Sequence, residues 1–374
     1  MDEPRCNVWN EIRQHGLRAF GKLLPAAVFG EAAAEAGISL GCSALRLPNL
    51  AWLAIASALH NTFSFAAVLT LTLTLRWLMD SEHWSTSNLA KSRRNSQRRA
   101  RRRGPKRSRH DPRGKDTTVV TEEAFVQARQ RIPLKFRLCL LLVLGRRFQV
   151  QHDRWLRWND FRLLALDGSL VDLPNWKALG DHYGRAQNGG GPLHPQARMV
   201  MLQFPLARMP WRYELCPFSQ GERTVAGRLL IDLALNDLVL MDQGFWSYGL
   251  FRQIQNQGAF FAIRLFPQVR SKTLKKLGNK DRLVQWTPSA RKWRQAGLPP
   301  SIRLRVIDYR IPGFRPSAVV TNVLDPRRIS HQQWVHMATE NEEGNLRLGQ
   351  GLYHRRWEIE TTFSELKVVQ GMER

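Results

Sequence analysis

Two short apolar runs in the middle of the chain each stop at an aspartate, and they constrain the fold more than any other feature. Leu163–Leu166 is followed by Asp167 and Gly168, and Leu238–Met241 is followed by Asp242. Continuous apolar runs of this length, bounded by turn residues, are typical of buried strands. Taken singly, an aspartate at a strand end is ordinary turn chemistry. Two such runs predict a sheet that carries two carboxylates at one edge.

A third acid lies in the last stretch of the chain, which the pattern predicts to be a helix. Residues 353–367 contain neither Gly nor Pro, and apolar side chains recur there at helical spacing. The four polar residues that an ideal α-helix places in one stripe about 60° wide are Tyr353, Arg356, Glu360 and Lys367. An acid flanked by cations suits a site that holds a metal ion and binds phosphates. The alternative is a solvated amphipathic helix with ordinary charge pairs.

The charge of the chain indicates a polyanionic partner. The formal net charge is +26 and the pI is near 11.1. Nucleic acid is the first expectation, and an anionic membrane surface is the alternative. Much of this charge lies in residues 91–115, where Lys and Arg face a single acid, Asp111. Such a block cannot fold alone, so it is either a solvated linker or, as the charge of the whole chain favours, a phosphate-binding arm.

The remaining composition favours a cytoplasmic protein. Leu50–Leu78 is strongly apolar, but His60, Asn61 and several Thr interrupt it, which predicts a buried helical segment rather than a membrane span. The four cysteines are far apart and form no Cys-x-x-Cys, so they indicate neither a zinc site nor a disulfide framework. The polar, acidic N-terminus is unlike a signal peptide.

The motifs together resemble a known family. The spacing Tyr-x2-Arg-x3-Glu-x6-Lys, with Asp-Gly after one strand and Asp-x-Gly-Phe after a later one, is similar to the bacterial DDE transposases of the insertion-sequence-four type. The resemblance covers roughly residues 120–374. It implies an α/β fold, with a ribonuclease-H-like catalytic core of a mixed sheet and helices at 119–374 and a β-rich insertion at about 267–330. A mostly helical DNA-binding domain, residues 1–90, and the polybasic linker or arm, 91–118, precede that core.

The resemblance also implies roles for single residues. The three catalytic carboxylates are expected to be Asp167, Asp242 and Glu360. Carboxylate oxygens are the ligands that hard divalent cations prefer, so the same three residues are expected to hold two Mg²⁺ ions, for which Mn²⁺ can substitute. The residues expected to bind DNA phosphates are Tyr353, Arg356 and Lys367. The other acids of the region, Asp172 and Glu222, are interpreted as structural.

The expected reaction is metal-dependent hydrolysis of a phosphodiester at the element's end, followed by transfer of the freed 3′-OH. Its partners are double-stranded DNA, both terminal inverted repeats and target, and a second copy of the chain in a synaptic complex, without a membrane. The expected location is the bacterial cytoplasm, at the nucleoid. An aromatic residue of the insertion can stack on a flipped base; Trp286 or Trp293 suits this, although a core position is favoured for each.

Two departures from the family pattern stand out. Gln243 takes the place where the family commonly has Arg after the second aspartate. The chain stops at Arg374, soon after Lys367, whereas family members usually continue through further helices; this predicts a truncated copy of low activity.

Three alternatives remain open from the sequence. A ribonuclease-H-like nuclease or resolvase outside transposition shares the carboxylates and needs no terminal repeats. A non-catalytic, basic DNA-binding remnant of a transposase needs none of the three acids. A membrane protein anchored by residues 50–78 is the third.

Overall fold

The computed structural model describes seven stretches of the chain. These are residues 26–39, 122–185, 194–266, 269–289, 297–310, 316–340 and 346–369. The chain divides into two compact units, Asp2–Leu144 and Gly145–Arg374. The apolar stretch Leu50–Leu78, the basic block 91–115 and Trp293 lie outside the described residues, so the expectations about them stay predictions.

The described part of the first unit begins with helix α1, Ala26–Ala36. Alanine is the strongest helix former, and α1 buries Val28 and Phe29 completely or nearly so. The helix ends at Gly37, whose φ of +69° is the left-handed conformation that glycine adopts without strain.

Two further helices lead toward the second unit. Helix α2 spans Glu122–Gln130, and helix α3 spans Leu134–Leu156 with a non-helical residue, His152, near its end. Among the described helices, none is both long enough and apolar enough to cross a membrane.

The second unit is built on one mixed sheet. Ten strands of the described residues form it, in the order β4-β3-β2-β5-β6-β10-β9-β8-β7, with β1 added beside β2. In chain order these strands are β1 (Arg157–Trp158), β2 (Phe161–Asp172), β3 (Gln196–Phe204), β4 (Met209–Pro217), β5 (Asp237–Met241), β6 (Phe260–Arg264), β7 (Ser271–Gly278), β8 (Asp281–Trp286), β9 (Ile302–Tyr309) and β10 (Ser317–Thr321).

The first half of this sheet has the arrangement expected of a ribonuclease-H-like core. β2, β3 and β4 are antiparallel neighbours, whereas β2, β5 and β6 run parallel. All five residues of β5 are buried, as a strand covered on both faces requires. The sequence-based prediction of a mixed α/β fold is therefore confirmed.

The second half of the sheet continues from β6 without a break. β10 pairs antiparallel with β6, and β9, β8 and β7 follow in turn. These four strands lie within the range 267–330 that the sequence predicts to be a β-rich insertion. The insertion strands are thus hydrogen-bonded to the core sheet.

Helices and a separate hairpin complete the unit. The remaining described elements are helices α4 (Lys177–Tyr183), α5 (Glu222–Leu229), α6 (Tyr248–Asn256), α7 (His331–Val335) and α8 (Glu358–Ser364), 3-10 turns at Leu230–Asp232, Gln243–Phe245 and Leu352–Trp357, the π-helical turn Glu365–Val369, and the hairpin of β11 (His336–Glu340) and β12 (Leu346–Gln350).

The sheet has two faces, which carry different clusters of apolar side chains. The front face, with Leu163, Leu238 and Ala262, packs against Leu352 and Tyr353. Residues 352–369 are called the signature segment below. The back face carries the larger cluster, in which helices α5 and α6 take part.

Two sequence-based expectations need correction. The strand that was expected to stop at Asp167 continues to Asp172, because β3 pairs with it from Ala165 to Asp172. The signature segment is helical, as predicted, but only its middle part, α8, is an α-helix.

Candidate active site

Asp167 and Asp242 are neighbours because of the register of two parallel strands. The last pair that β2 and β5 form is Leu166 with Met241. Each aspartate is the next residue along its strand, and neighbouring strands lie about 4.8 Å apart. Because side chains alternate between the two faces of a sheet, both carboxylates lie on the front face.

An ion pair fixes this register at the other end of the two strands. Arg162 and Asp237 form the first pair, and Nε and Nη2 of Arg162 each donate to a different carboxylate oxygen of Asp237 at 2.7 Å. Asp237 is fully buried and also accepts a hydrogen bond from the backbone N–H of Ala234 at 2.7 Å. A slip of one residue between β2 and β5 would break both hydrogen bonds of this ion pair and move the aspartate of the slipped strand off the front face.

The third acid, Glu360, is linked to Asp167 by a buried arginine. Nη1 of Arg356 lies 2.9 Å from Oδ2 of Asp167, and Nη2 lies 2.8 Å from Oε1 of Glu360. The side chain of Arg356 is only 9% exposed, whereas that of Glu360 is 55% exposed. The guanidinium therefore stands between one fixed carboxylate and one that is free to change its rotamer.

Burial and neighbouring charges shift the pKa values of the groups at this site. Burial raises the pKa of Asp167 to about 6; Arg356 opposes this rise, and the charges of Glu360 and Asp242 add to it. Burial disfavours the charged form of Arg356, but Tyr353 and the three carboxylates outweigh burial and raise the pKa of the guanidinium. Arg356 is the counter-ion of the cluster.

Tyr353 lies inside the fold. Its hydroxyl donates to the backbone carbonyl of Met241 at 2.9 Å and accepts from the backbone N–H of Arg264 at 3.1 Å. Burial raises the pKa of this phenol well above its ordinary value. The hydroxyl thus ties the signature segment to the ends of β5 and β6, which differs from the expected contact with a DNA phosphate.

The helix type explains why Tyr353 and Arg356 are both buried. Residues 352–357 form a 3-10 turn, in which side chains three positions apart eclipse each other. Both side chains therefore project toward the sheet. The stripe drawn from an ideal α-helix placed them beside Glu360 and Lys367 on a solvent-facing surface.

Lys367 and Gln243 complete the surroundings of the carboxylates. Nζ of Lys367 donates to the backbone carbonyl of Leu170, three residues beyond Asp167 on β2. Gln243 begins the 3-10 turn that follows Asp242 and is partly exposed. Lys367 thus contacts β2 beyond Asp167, and its expected contact with a DNA phosphate stays a prediction.

Two residues that position the signature segment carry no motif. Arg208 lies in the turn between β3 and β4, and its Nε lies 2.6 Å from Glu358 while its Nη1 lies 3.4 Å from Glu365. A Cβ on Gly351, the residue before the segment, would lie 2.2 Å from the backbone oxygen of Trp334. Both contacts join residues far apart in the sequence, so no local pattern could reveal them.

Of the two candidate tryptophans of the insertion, Trp286 is the one that the structure describes, and it belongs to the core. Trp286 is 8% exposed and contacts Trp246, Tyr248 and Phe251 edge to face. This matches the favoured interpretation of a core residue and leaves its ring no open side on which a flipped base would stack.

With this geometry in place, comparison with known proteins decides the family. Residues 158–374 match the family described as "Transposase DDE domain". The chain belongs to the DDE transposase family. Over 262 residues it is 27% identical to the transposase InsG for insertion sequence element IS4 of Escherichia coli strain K12. That alignment covers 68% of this chain and 54% of InsG, so the chain spans about half the length of this relative.

A solved structure was also compared. The cryo-EM structure of the piggyBac transposase synaptic complex with hairpin DNA matches with 9% sequence identity and a TM-score of 0.35, covering 93% of this chain and 67% of that one. A TM-score of this size does not establish a shared fold.

DDE transposases cut and join DNA and use divalent metal ions, and the donor set of this member fits such an ion. Its three carboxylates offer hard oxygen ligands, and a bound cation would offset the cost of burying a charged Asp167, which is the main cause of its raised pKa. Among the described residues, no three ligand-type side chains are close enough to share one ion as they stand. The reason is Arg356, whose guanidinium lies between Asp167 and Glu360.

Proposed function

We propose that this chain is a DNA transposase that cleaves phosphodiester bonds at the ends of a mobile element and joins the freed 3′ ends to another strand. One observation carries the proposal: Arg356 links the acid of the signature segment to the carboxylate of the central strand. Two properties of the chain as a whole also support it: the match to the transposase family and the net charge of +26.

Asp167, Asp242 and Glu360 are the residues that would hold the divalent ions, two Mg²⁺ with Mn²⁺ able to replace them. Bound there, the ions would activate the attacking oxygen and stabilise the leaving oxygen during in-line displacement at phosphorus. Asp167 and Asp242 are fixed by strand register, while Glu360 is exposed enough to turn toward them.

The chain's own cations hold the DNA. Arg356 and Lys367 bind the scissile and neighbouring phosphates, because Arg356 contacts Asp167 and Lys367 contacts the backbone of Leu170 on the same strand. When metal and substrate are bound, Arg356 exchanges its carboxylate partners for a phosphate. Tyr353 positions the signature segment and does not touch the DNA, since its hydroxyl is held between two backbone groups.

The reaction needs no protein nucleophile. In the first step a water oxygen forms the new bond to phosphorus and gives up a proton to solvent, while the bond to the 3′ oxygen breaks and that oxygen takes up a proton to become the 3′-OH. In the second step that 3′-OH attacks a phosphorus of another strand and displaces its 3′ oxygen in turn. The substrates are duplexes with terminal inverted repeats and target duplexes, and two copies of the chain bring the two element ends together in the bacterial cytoplasm.

A cleavage assay tests this proposal. The substrate is a labelled duplex that contains one end of the element, identified by sequencing the DNA on both sides of the gene for inverted repeats. Asp167→Asn should abolish Mg²⁺-dependent nicking and leave DNA affinity unchanged. Asp172→Asn is the matched control, because Asp172 lies on the same strand and accepts a hydrogen bond from the side chain of Gln196. Nicking by Asp167→Asn, or its loss in Asp172→Asn alone, would contradict the proposal.

A further inference from the structure

The outer edge strand of the sheet, β7, is unusually exposed and basic. Seven of its eight residues are exposed and the eighth is partly so, which leaves one side of the strand without a hydrogen-bonding neighbour. Five cations lie on this strand or within three residues of its ends. These are Arg270, Lys272, Lys275, Lys276 and Lys280.

Two cations of the neighbouring strands, unlike those on and beside β7, have carboxylate partners among the described residues. Arg305 is fully buried and pairs with Asp281, and Arg282 pairs with Asp308. Those pairs use both acids of the neighbouring strands. Within the part of the chain that the structure describes, no ion pair is formed by Lys272, Lys275 or Lys276.

The strand register groups three of the cations on one face. Lys272 pairs with Gln285 of β8, and Gln285 pairs with Arg303 of β9. Side chains that are paired across strands point to the same face, so the exposed Arg303 and Lys272 lie in one row. Lys275 joins them, because it pairs with Leu283, two residues from Gln285.

This row is on the same face of the sheet as the catalytic carboxylates. Alternation along each strand places Gln285 and Arg303 on the front face, as it does Asp242. Five strand intervals, or about 24 Å, separate β5 from β7. The register also places Lys272 level with Leu238, which is about 13 Å along the strands from Asp242. The distance from Asp242 to Lys272 is therefore about 27 Å, which corresponds to about eight base pairs of duplex DNA at about 3.4 Å each.

We propose that Lys272, Lys275 and Arg303 form a second DNA contact, in which they bind the sugar–phosphate backbone of the duplex that flanks the cleaved bond. The inference rests on the proposed function for the identity of the ligand. The contact is independent of base sequence, because flexible ammonium groups on an exposed edge meet phosphates and not base edges. It holds the duplex about eight base pairs from the reacting phosphate.

A different role for the lysines makes a different prediction. Charged side chains on an edge strand also oppose pairing with the edge of another molecule. If that were their whole role, neutralising them would cause self-association and leave the DNA affinity as it was.

The test measures how the affinity for DNA depends on salt. The full chain is titrated with a labelled duplex of arbitrary sequence in EDTA, at several NaCl concentrations, by fluorescence anisotropy. In the variant Lys272→Gln, Lys275→Gln, Arg303→Gln, the slope of log K against log [salt] should become shallower by about 2.7, at about 0.9 for each phosphate contact. A charge-conserving variant, in which Lys272→Arg and Lys275→Arg are combined and Arg303 is kept, should show the slope of the unmodified chain.

The control variant removes the same charge elsewhere. Arg157, Arg228 and Arg327 are exposed, and each already pairs with a carboxylate. Their replacement by Gln changes the net charge equally and should leave the slope near that of the unmodified chain. Equal loss in both variants, or no loss in the edge variant, overturns the proposal; self-association of the edge variant in light scattering would then assign the lysines to edge protection.

The readout needs no catalysis, so it separates this inference from the proposed function. A chain that nicks DNA while the edge variant keeps its slope overturns only the second contact. A chain that never nicks DNA while the edge variant loses slope overturns only the enzymatic proposal.

Discussion

The hydroxyl of Tyr353 donates a hydrogen bond to the backbone carbonyl of Met241, the residue immediately before Asp242. The same oxygen accepts a hydrogen bond from the backbone N–H of Arg264 on the next strand. A side chain of the signature segment is therefore bonded to the strand that carries the second aspartate. The distance between the segment and Asp242 depends on these two hydrogen bonds.

Removing that hydroxyl should separate chemistry from DNA binding. Tyr353→Phe keeps the ring in place but leaves two buried backbone groups without partners, at a cost of about 1–3 kcal/mol in the free energy of unfolding. We expect single-turnover nicking to slow while the affinity for duplex DNA stays unchanged. A Tyr353 that contacts phosphate would give the opposite, a weaker affinity with a shallower salt dependence.

Arg208 should position the signature segment from its other side. It pairs with Glu358 and Glu365, and its φ of +49° is unusual for a residue with a Cβ. Arg208→Ala should slow nicking several-fold and lower stability in urea by about 1–2 kcal/mol. Arg208→Gly removes the same ion pairs but relaxes the backbone, so it should recover stability and not activity. Recovery of both would mean that the ion pairs do not position the segment.

Gly351 should tolerate no side chain. Its missing Cβ would lie 2.2 Å from the backbone oxygen of Trp334 and 2.4 Å from that of Val335, and backbone atoms cannot move aside as a flexible side chain can. Gly351→Ala should destabilise the chain by about 1–3 kcal/mol or more, as overpacked sites do, and should reduce nicking. Gly278→Ala, which meets nothing within 4 Å, should leave the thermal midpoint nearly unchanged. A similar small effect at both positions would count against this contact.

The raised pKa of Asp167 should appear in the pH dependence of stability. The folded chain holds a proton at this site up to about pH 6, whereas the unfolded chain releases it near 3.8. Stability therefore falls as pH rises from about 4 to about 6, by at most about 3 kcal/mol from this group. Asp167→Asn should remove that fall and be the more stable protein at pH 7. Parallel urea-stability profiles for the two proteins between pH 4 and 7 would refute the shift.

The strands around the site could be read from the sequence because their signals are local. Leu163–Leu166 and Leu238–Met241 are apolar runs followed by turn residues, and both lie within strands, β2 and β5. Asp167 was misplaced at a strand end because Asp-Gly ordinarily marks a turn. The strand continues there because an antiparallel partner, β3, is supplied by residues that follow in the chain.

What the sequence could not supply depends on contacts across long separations. The ion pair between Arg208 and Glu358 spans 150 positions, and the bridge from Arg356 to Asp167 spans 189. The motif spacing identified Arg356 and Glu360 as a pair, but only the 3-10 geometry of residues 352–357 turns the arginine inward. Local periodicity predicts which element a residue belongs to and says little about helix subtype.

The unbroken hydrogen-bonding from β7 to β5 has a mechanical consequence. An insertion joined to a domain by flexible linkers would let bound DNA move without disturbing the reacting groups. Here each strand from β7 to β6 is hydrogen-bonded to its neighbour. β6 in turn pairs with β5, the strand that ends just before Asp242. The insertion is therefore rigidly joined to the core sheet. A duplex that bends or pulls at the far edge would transmit force through the paired strands to Asp242.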